Sequence, residues 1–346
     1  MVVTQHIRID RRTLLTGTAA LTAAGLFGAS GSAGAAPAEG TDCAGAAFTA
    51  LRDSEPNAKP ASVRFRVAGK WTDPIPVRRT AHGRDDRPGK LSEIVPIPAG
   101  ADKVDVIAEN VTLPGIFTPV TAQPFKTPVT TSYAWGFPAV TRSGWGADET
   151  LQTWGEPEYA PAQVITVHHT QIPTGQEYDD YRDTVRGVYR FHALPDPDGQ
   201  GWGDLGYHLM IDPNGVIYSG RHPGTDDAPI FKPGTDLKPG AEVVTAGHVR
   251  GANSGNIGIC LIGDFSRTLP SKAALHSLDI VLTRLCSGLG INPFAQIKYV
   301  NPANGVTAVK PAVAGHGDWQ SVCGETTCPG DFLHTILPLL TALSQL

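Results

Sequence analysis

The sequence predicts an α/β domain with a central mixed β-sheet flanked by helices, preceded by a small β-rich domain. From residue 139 onward, short β-branched and apolar runs alternate with segments whose apolar residues recur every three to four positions. Between residues 60 and 120 only short strand-like segments occur, separated by Gly and Pro. Alternating strands and helices favour a sheet covered on its faces by helices, so the first pattern defines the main domain.

The N-terminal third divides by composition. Residues 36–59 are small and polar and are predicted to be a flexible segment, and the β-rich accessory domain is predicted at residues 60–120. Within it, residues 63–67 alternate with period two, as in a half-buried strand, and residues 92–97 and 103–108 are further strand candidates. The Pro-rich residues 121–138 are predicted to be a linker.

The main domain is predicted to span residues 139–346, with its elements in a clear order. A buried strand at residues 164–168 delivers His168 at its C-terminal end, and a helix follows at about residues 177–192. Strands at 207–211 and 216–218 are joined by a turn containing Asn214-Gly215, which is a strong hairpin signal. The remaining predicted elements are a strand at 257–263 and helices at 271–289 and 329–343.

Charge and the N-terminus indicate where the protein works. The formal net charge of -5 and the pI of about 6.1 speak against a nucleic-acid partner, which requires a basic face. The pair Arg11-Arg12, a weakly apolar Ala/Gly-rich stretch and the small residues 33–35 together predict a twin-arginine signal peptide at residues 1–35. We therefore expect a secreted, extracellular protein without a membrane anchor.

His168, His316 and Cys328 are the candidate metal ligands. Imidazole nitrogen and thiolate sulfur are donors that zinc prefers, and three protein ligands leave the fourth tetrahedral position for water or substrate. No CxxC pair or HxxxH helix supplies a fourth protein ligand, so the expected site is catalytic in type and holds one Zn²⁺. Taken alone, each residue has a plainer interpretation, since Cys328 could equally be half of a disulfide with Cys323.

The other four cysteines allow two disulfides in an oxidising compartment. We expect Cys260 to pair with Cys286 and Cys43 with Cys323, although three pairings exist and spacing does not choose among them. Free buried thiols at Cys260 and Cys286 are the alternative.

Seven sequence blocks occur in a diagnostic order. They are RSGWGA (142–147), VHHT (167–170), GDLGYH (203–208), GHVRGAN (247–253), IGICLIGDF (257–265), GHGD (315–318) and TTCPG (326–330). In this order they resemble the successive motifs of the peptidoglycan recognition protein and type 2 amidase family, which comprises zinc N-acetylmuramoyl-L-alanine amidases. The resemblance extends over about residues 138–346, and the N-terminal region falls outside it.

The resemblance implies roles for individual residues. His168, His316 and Cys328 match the family's zinc ligands, Tyr207 matches a tyrosine whose hydroxyl assists catalysis, and Thr326 matches a position near the developing oxyanion. The general base is left open between Tyr207 and a solvent relay. The candidate substrate-binding residues are His169, Trp202, His248 and Asn253, of which His169 is also a candidate to support the ligands and Trp202 to close the core.

Three functions follow as hypotheses. The first is a secreted, monomeric zinc amidase that hydrolyses the amide between the N-acetylmuramic acid lactyl group and L-Ala in peptidoglycan or a muropeptide. The second is a module that binds peptidoglycan without cutting it. The third is a zinc hydrolase of another amide, with the β-rich domain selecting the substrate.

Overall fold

The computed structural model describes most of the chain beyond the N-terminal region. The predicted signal peptide lies outside the described residues, as do residues 121–129 and 134 of the predicted linker and 177–179 of the predicted helix. Among the described helices, none has the length and apolar character needed to cross a membrane. The described residues are 41–42, 48–52, 61–87, 92–107, 112–117, 130–133, 135–172, 180–195, 199–226 and 228–343.

The N-terminal part is rich in β-structure, as predicted. One sheet has the order β1-β7-β3-β4, with β5 also paired to β3, and a second has the order β6-β2-β8. Strands β1 and β2 lie within residues 36–59, upstream of the predicted domain start. The strands are β1 (Thr41–Asp42), β2 (Phe48–Arg52), β3 (Ala61–Val67), β4 (Lys70–Trp71), β5 (Ile75–Val77), β6 (Val95–Pro96), β7 (Ala101–Ile107) and β8 (Thr112–Phe117).

The period-two pattern of β3 sorts its side chains between two environments. Val63 and Phe65 are fully buried and pack with Val104 of β7 in a small core. On the opposite face, Arg64 pairs with Asp105 of β7 at 2.7 Å. Packing on one face and cross-strand ion pairing on the other fix the register of this strand pair.

The main sheet is mixed and has the order β19-β12-β16-β13-β14-β10-β9. The pairs β12–β16, β12–β19 and β13–β16 are parallel, whereas β13–β14 is antiparallel. The strands are β9 (Thr131–Ser132), β10 (Ala139–Val140), β11 (Tyr159–Pro161), β12 (Val164–His169), β13 (Leu209–Ile211), β14 (Ile217–Ser219), β15 (Glu242–Val244), β16 (Asn256–Leu261), β17 (Gln296–Val300), β18 (Thr307–Pro311) and β19 (Val313–Gly315). Strand β9 lies inside the predicted linker, so part of that segment belongs to the sheet.

Helices cover both faces of this sheet, which confirms the predicted architecture. Helices α3 and α5 pack on one face, and α2 packs on the other. The predicted helix at 271–289 is confirmed, since Ser271 caps the N-terminus of α3 and Gly290 closes its C-terminus in the left-handed conformation. The helices are α1 (Arg142–Trp145), α2 (Arg182–Ala193), α3 (Lys272–Leu289), α4 (Gln320–Cys323) and α5 (Asp331–Leu343).

The predicted hairpin between β13 and β14 is also present. The Asp212 carboxylate accepts hydrogen bonds from the backbone N–H groups of Asn214 and Val216, at 2.8 and 2.9 Å. Gly215 has a φ of 82°, and a Cβ there would lie 2.8 Å from the Ala273 carbonyl oxygen on α3. Glycine is therefore required both by the turn and by the helix packed behind it.

A buried ion network fixes the loop that leads to Tyr207. Asp204 is fully buried and pairs with Arg142 at 2.9 Å and with Arg221 at 2.8 Å. Burial alone would raise the pKa of Asp204, but the two guanidinium groups hold this pKa below its ordinary value. The carboxylate therefore stays ionised three residues before Tyr207, in the segment that enters β13.

The topology also brings the candidate ligands together. Strands β19 and β12 are parallel neighbours, so residues at their C-terminal ends meet at the same edge of the sheet. His168 lies at the end of β12, and His316 directly follows β19. The turn between α4 and α5 carries Cys328 to the same edge. Such edges are where α/β proteins build their sites.

Candidate metal centre

Four buried side chains converge at this edge. The donor atoms of His82, His168, His316 and Cys328 all lie within 4.8 Å of one another. Three of them are the ligands predicted from the sequence. The fourth, His82, was not predicted, and it comes from the region assigned to the accessory domain. The structure therefore offers a fourth candidate donor, where the sequence patterns had supplied none.

A chain of hydrogen bonds determines which nitrogen of His168 faces the cluster. His248 Nε2 lies 2.9 Å from the Asn256 carbonyl oxygen, which can only accept, so this nitrogen carries the proton. Neutral His248 then accepts at Nδ1 from His168 Nε2, over 3.0 Å. His168 Nδ1 consequently keeps its lone pair, and it lies 3.6 Å from Cys328 Sγ. A ligating histidine typically has its other nitrogen held in this way.

His316 presents its Nδ1 atom to the cluster. This nitrogen is buried and has no hydrogen-bond partner, whereas Nε2 lies 3.6 Å from Cys323 Sγ. The turn is held by Asp318, which accepts a hydrogen bond from the Gly315 N–H at 2.7 Å. An orphaned buried nitrogen is costly unless a bound partner satisfies it.

Cys328 is positioned by backbone contacts from both sides. The His169 N–H donates to Cys328 Sγ at 3.3 Å, and the Cys328 N–H donates to Thr326 Oγ1 at 3.2 Å. Burial raises the pKa of the Cys328 thiol well above its ordinary value. The thiolate that a metal requires is therefore stable here only beside a compensating cation. Thr326 is buried and orders this turn.

His82 is held from behind by a carboxylate. Glu93 Oε1 lies 3.4 Å from His82 Nδ1 and accepts a hydrogen bond from the Ala81 N–H at 2.6 Å. His82 Nε2 is buried without a hydrogen-bond partner, and its ring centroid lies 4.3 Å from that of His316. A carboxylate on one imidazole nitrogen and an unsatisfied second nitrogen are typical of a metal-binding histidine.

The donor set fits zinc. Burial and the neighbouring imidazoles lower the pKa values of His168 and His316 well below their ordinary value, so both rings are neutral and can bind a metal. Nitrogen and sulfur donors from neutral imidazoles and one cysteine are those found in zinc sites. The unsatisfied nitrogens of His82 and His316 would be satisfied by an ion between them.

Tyr207 lies beside the cluster, as predicted. Its ring centroid is 5.3 Å from that of His168 and 6.0 Å from that of His82. Burial and the nearby thiols of Cys260 and Cys328 raise the pKa of Tyr207 well above its ordinary value. A protonated phenol can donate a hydrogen bond to an oxygen beside the cluster, which is the donor role that the sequence resemblance implies.

The candidate substrate-binding residues are buried and not displayed at the surface. Trp202 is 1% exposed, and its ring lies 4.5 Å from that of His192, so in this conformation it closes the core. His169 accepts from the Phe265 N–H through Nδ1 at 3.2 Å. His248 Nδ1 accepts a hydrogen bond from His168. The Asn253 side-chain oxygen in turn accepts a hydrogen bond from the backbone N–H of His248 at 2.8 Å. The observed contacts of Trp202, His169 and His248 match the structural roles that were left open beside substrate binding, and the substrate-binding role stays a prediction.

The disulfide expected between Cys260 and Cys286 is absent, and the free buried thiols given as its alternative are found instead. Cys260, Cys286, Cys323 and Cys328 are all buried with free thiols. Cys260 packs with α2 on one face of the main sheet, while Cys286 lies in the core on the other face. The sheet separates them, so they cannot pair. Cys43 lies outside the described residues.

Comparison with known proteins gives consistent matches. A family model described as N-acetylmuramoyl-L-alanine amidase, Amidase_2, matches residues 158–331. The human N-acetylmuramoyl-L-alanine amidase is 29% identical over 207 residues, covering 58% of this chain and 28% of the human protein. Drosophila melanogaster peptidoglycan-recognition protein LB is 31% identical over 139 residues, covering 40% of this chain and 49% of that protein.

Solved structures give matches of the same kind. The structure of wild-type Drosophila PGRP-LB is 27% identical and covers 56% of this chain and 88% of that chain, with a TM-score of 0.37. Less than half the length of each curated relative described above is spanned by this chain. His82 lies outside the residues that the family model matches.

Proposed function

Because the chain belongs to the N-acetylmuramoyl-L-alanine amidase family, Amidase_2, we propose that it is a zinc-dependent amidase of peptidoglycan. Its substrate is the amide between the lactyl group of N-acetylmuramic acid and the L-Ala of the stem peptide. One observation carries this proposal. The lone pairs of His168, His316 and Cys328 face one another at a sheet edge, with a protonated tyrosine beside them.

The side chains of His168, His316 and Cys328 would hold the metal. A zinc ion bound there would supply Lewis acidity to the amide carbonyl and to the attacking water. Tyr207 donates its hydroxyl proton in a hydrogen bond to the oxygen on which negative charge develops. Donors of this kind contribute about 2–4 kcal/mol to transition-state stabilisation. His248 keeps His168 in the tautomer that presents Nδ1.

Thr326 supports the site through the backbone of the cysteine turn. Its hydroxyl oxygen accepts from the Cys328 N–H and still has a proton to donate toward substrate. The buried surroundings exclude water from the ligands, which strengthens each electrostatic contact made there.

The proposal places the reaction outside the cytoplasm, at the cell wall. The arginine pair and Ala/Gly-rich stretch of residues 1–35 support export, and we propose a monomeric enzyme that acts on peptidoglycan or muropeptides there.

A peptidoglycan-binding role without cleavage is the second candidate. It is favoured by the relatives that are named peptidoglycan-recognition proteins, such as the Drosophila LB protein. The two candidates differ in whether bond cleavage follows binding. Tyr207 distinguishes the two candidates. A protein that only binds peptidoglycan does not need a hydrogen-bond donor for the negative charge that develops during cleavage.

The test is release of amine from a defined muropeptide. Zinc-loaded protein should release new L-Ala amino termini, measured with an amine-reactive fluorophore and mass spectrometry of both products. The assay is run with the wild type and with His82→Ala, in which a ligand position is freed. Cys328→Ser should abolish release in either background. Binding of muropeptide without amine release by either zinc-loaded protein would refute the amidase proposal and support the binding role.

A further inference from the structure

His82 is a fourth protein donor, and a zinc ion bound by four protein donors has no open coordination position. Zinc in proteins is almost always four-coordinate when its ligands are all protein side chains, and catalytic sites keep one of the four positions open. With three imidazoles and one thiolate within 4.8 Å of one another, a tetrahedral ion has no position left for water or substrate. In the conformation described here, a metal held by all four side chains would be unable to act on an amide.

The segment that carries His82 is built into the main domain. We define residues 80–86 as the covering segment. The Gly83 N–H donates to the Gly247 carbonyl at 3.0 Å, and the Arg250 N–H donates to the Ala81 carbonyl at 3.0 Å. Ala81 is fully buried in a cluster that includes Trp319. The covering segment is therefore part of the core around the metal centre.

Charged side chains anchor the far end of the covering segment. Asp85 accepts hydrogen bonds from the Gly251 N–H at 2.8 Å and from the Asn301 side chain at 2.7 Å. Arg84 is almost fully buried, donates to the Trp202 carbonyl at 3.0 Å, and lies over the ring of Trp154 at 4.2 Å. Both contacts join the region before residue 139 to loops of the main domain.

The covering segment also occupies residues that the sequence assigns to substrate. The Asn253 side-chain nitrogen donates to the Gly83 carbonyl at 2.8 Å and also contacts Asp85. Trp202, another substrate candidate, is contacted by Arg84. The same segment thus hydrogen-bonds to Asn253 and Trp202 and supplies the fourth donor atom of the metal centre. A bound ligand would make contacts of the same kind.

We propose that residues 80–86 are an intramolecular cover, with His82 as the fourth metal ligand, that holds this enzyme in a latent form. Catalysis requires the cover to leave, which frees one coordination position and releases the Asn253 side chain from Gly83 and Asp85. This inference rests on the proposed amidase function only in its claim that removal of the cover raises the rate of amide hydrolysis. The four-ligand closed site itself can be tested without any substrate.

The direct test counts ligands in the full chain loaded with cobalt(II) in place of zinc. Each ligating imidazole keeps one exchangeable N–H on its other nitrogen, and cobalt shifts that proton far outside the ordinary proton spectrum. Wild type should show three such signals, and two signals would overturn the proposal. Azide, a small anion that binds open cobalt positions, should leave the visible spectrum of the wild type unchanged, and an azide-dependent change in the wild type would also overturn it.

Variants then test whether His82 is the ligand that closes the metal site. His82→Ala should lose one shifted signal, respond to azide, and bind metal at least about tenfold more weakly, since even lost outer contacts to a ligating histidine cost 10–100-fold. Asp85→Ala keeps the ligand but weakens its anchor, and should give partial azide response. The matched control is His276→Ala, which removes an exposed imidazole on α3 and should behave as wild type.

The outcomes separate the two proposals. If His82→Ala opens the metal to azide but no protein releases amine from muropeptide, the cover stands and the amidase function fails. If wild type and His82→Ala release amine at the same rate, the latency fails while the amidase function stands. A rise in amine release of at least about tenfold in His82→Ala supports both. If His82→Ala does not fold, the signal count and azide titration of the wild type decide.

Discussion

Replacing His248 by Phe tests whether the imidazole relay sets the metal affinity. His248 Nδ1 accepts from His168 Nε2 at 3.0 Å, and this contact selects the tautomer that presents His168 Nδ1. Phe has a similar shape but no acceptor, so the His168 N–H would be left buried and unpaired. Loss of such an outer partner costs about 10–100-fold in metal affinity, or about 1.4–2.7 kcal/mol.

Two further variants check that the effect comes from the hydrogen bond. His248→Gln restores an acceptor oxygen and should recover part of the affinity. Gly258→Ala keeps His248 but displaces its ring, because a Cβ at residue 258 would lie 2.5 Å from His248 Cγ. We therefore expect weakened zinc binding in Gly258→Ala as well. His276→Gln, on an exposed surface of α3, is the control and should match wild type.

The assay is competition for zinc against a chromophoric chelator at fixed pH and ionic strength. Urea unfolding of each metal-free variant shows whether the fold is intact. If His248→Phe folds normally and binds zinc as tightly as wild type, or if Phe and Gln substitutions behave alike, the relay does not control the ligand and the reasoning is refuted.

Other predictions concern catalysis, stability and metal. Tyr207→Phe, made in the His82→Ala background that opens the metal, removes the proposed donor and should lower kcat for amine release by about 10²–10³ with little change in KM; an unchanged kcat would exclude this role. Asp204→Asn leaves Arg142 and Arg221 without their shared anion and should lower the free energy of unfolding by about 3–5 kcal/mol at pH 7, measured with urea. Because the folded-state pKa of Asp204 is lowered, its contribution is complete above the unfolded value of about 3.9 and is lost as pH falls toward the folded value. The difference between wild type and Asp204→Asn should therefore narrow below about pH 4, and a constant difference would contradict the ion network. Chelation of the metal should stop amine release and lower the unfolding free energy, by about 2.7 kcal/mol relative to protein with free zinc at 100 times its dissociation constant.

Local patterns in the sequence were sufficient to predict most of the strands and helices of the main domain. The run ending at His168 is β-branched and buried on both faces, and Ser271 and Gly290 mark the ends of α3 with capping chemistry that requires no tertiary information. His316 and Cys328 could be grouped with His168 only because their motifs recur in a known order. Their separation along the chain carries no geometric signal by itself.

What the sequence could not predict depends on packing between distant segments. His82 has no motif and lies in the region assigned to another domain, so only the folded contacts of the covering segment reveal its place beside His316. The expected Cys260–Cys286 disulfide failed because the pattern of apolar residues does not say which sheet face each cysteine meets. For Trp202 the sequence left substrate stacking and core closure both open, and only the packed structure shows its ring against His192.

X-ray absorption at the zinc edge of the zinc-loaded full chain tests the central claim most directly. We predict one ion per chain whose first shell contains one sulfur at about 2.3 Å and three nitrogens at about 2.0–2.1 Å. The sulfur should disappear in Cys328→Ser, and one nitrogen should be lost or replaced by oxygen in His82→Ala. A first shell without sulfur in the wild type, or a chain that binds no zinc, would contradict the metal centre on which every proposed role depends.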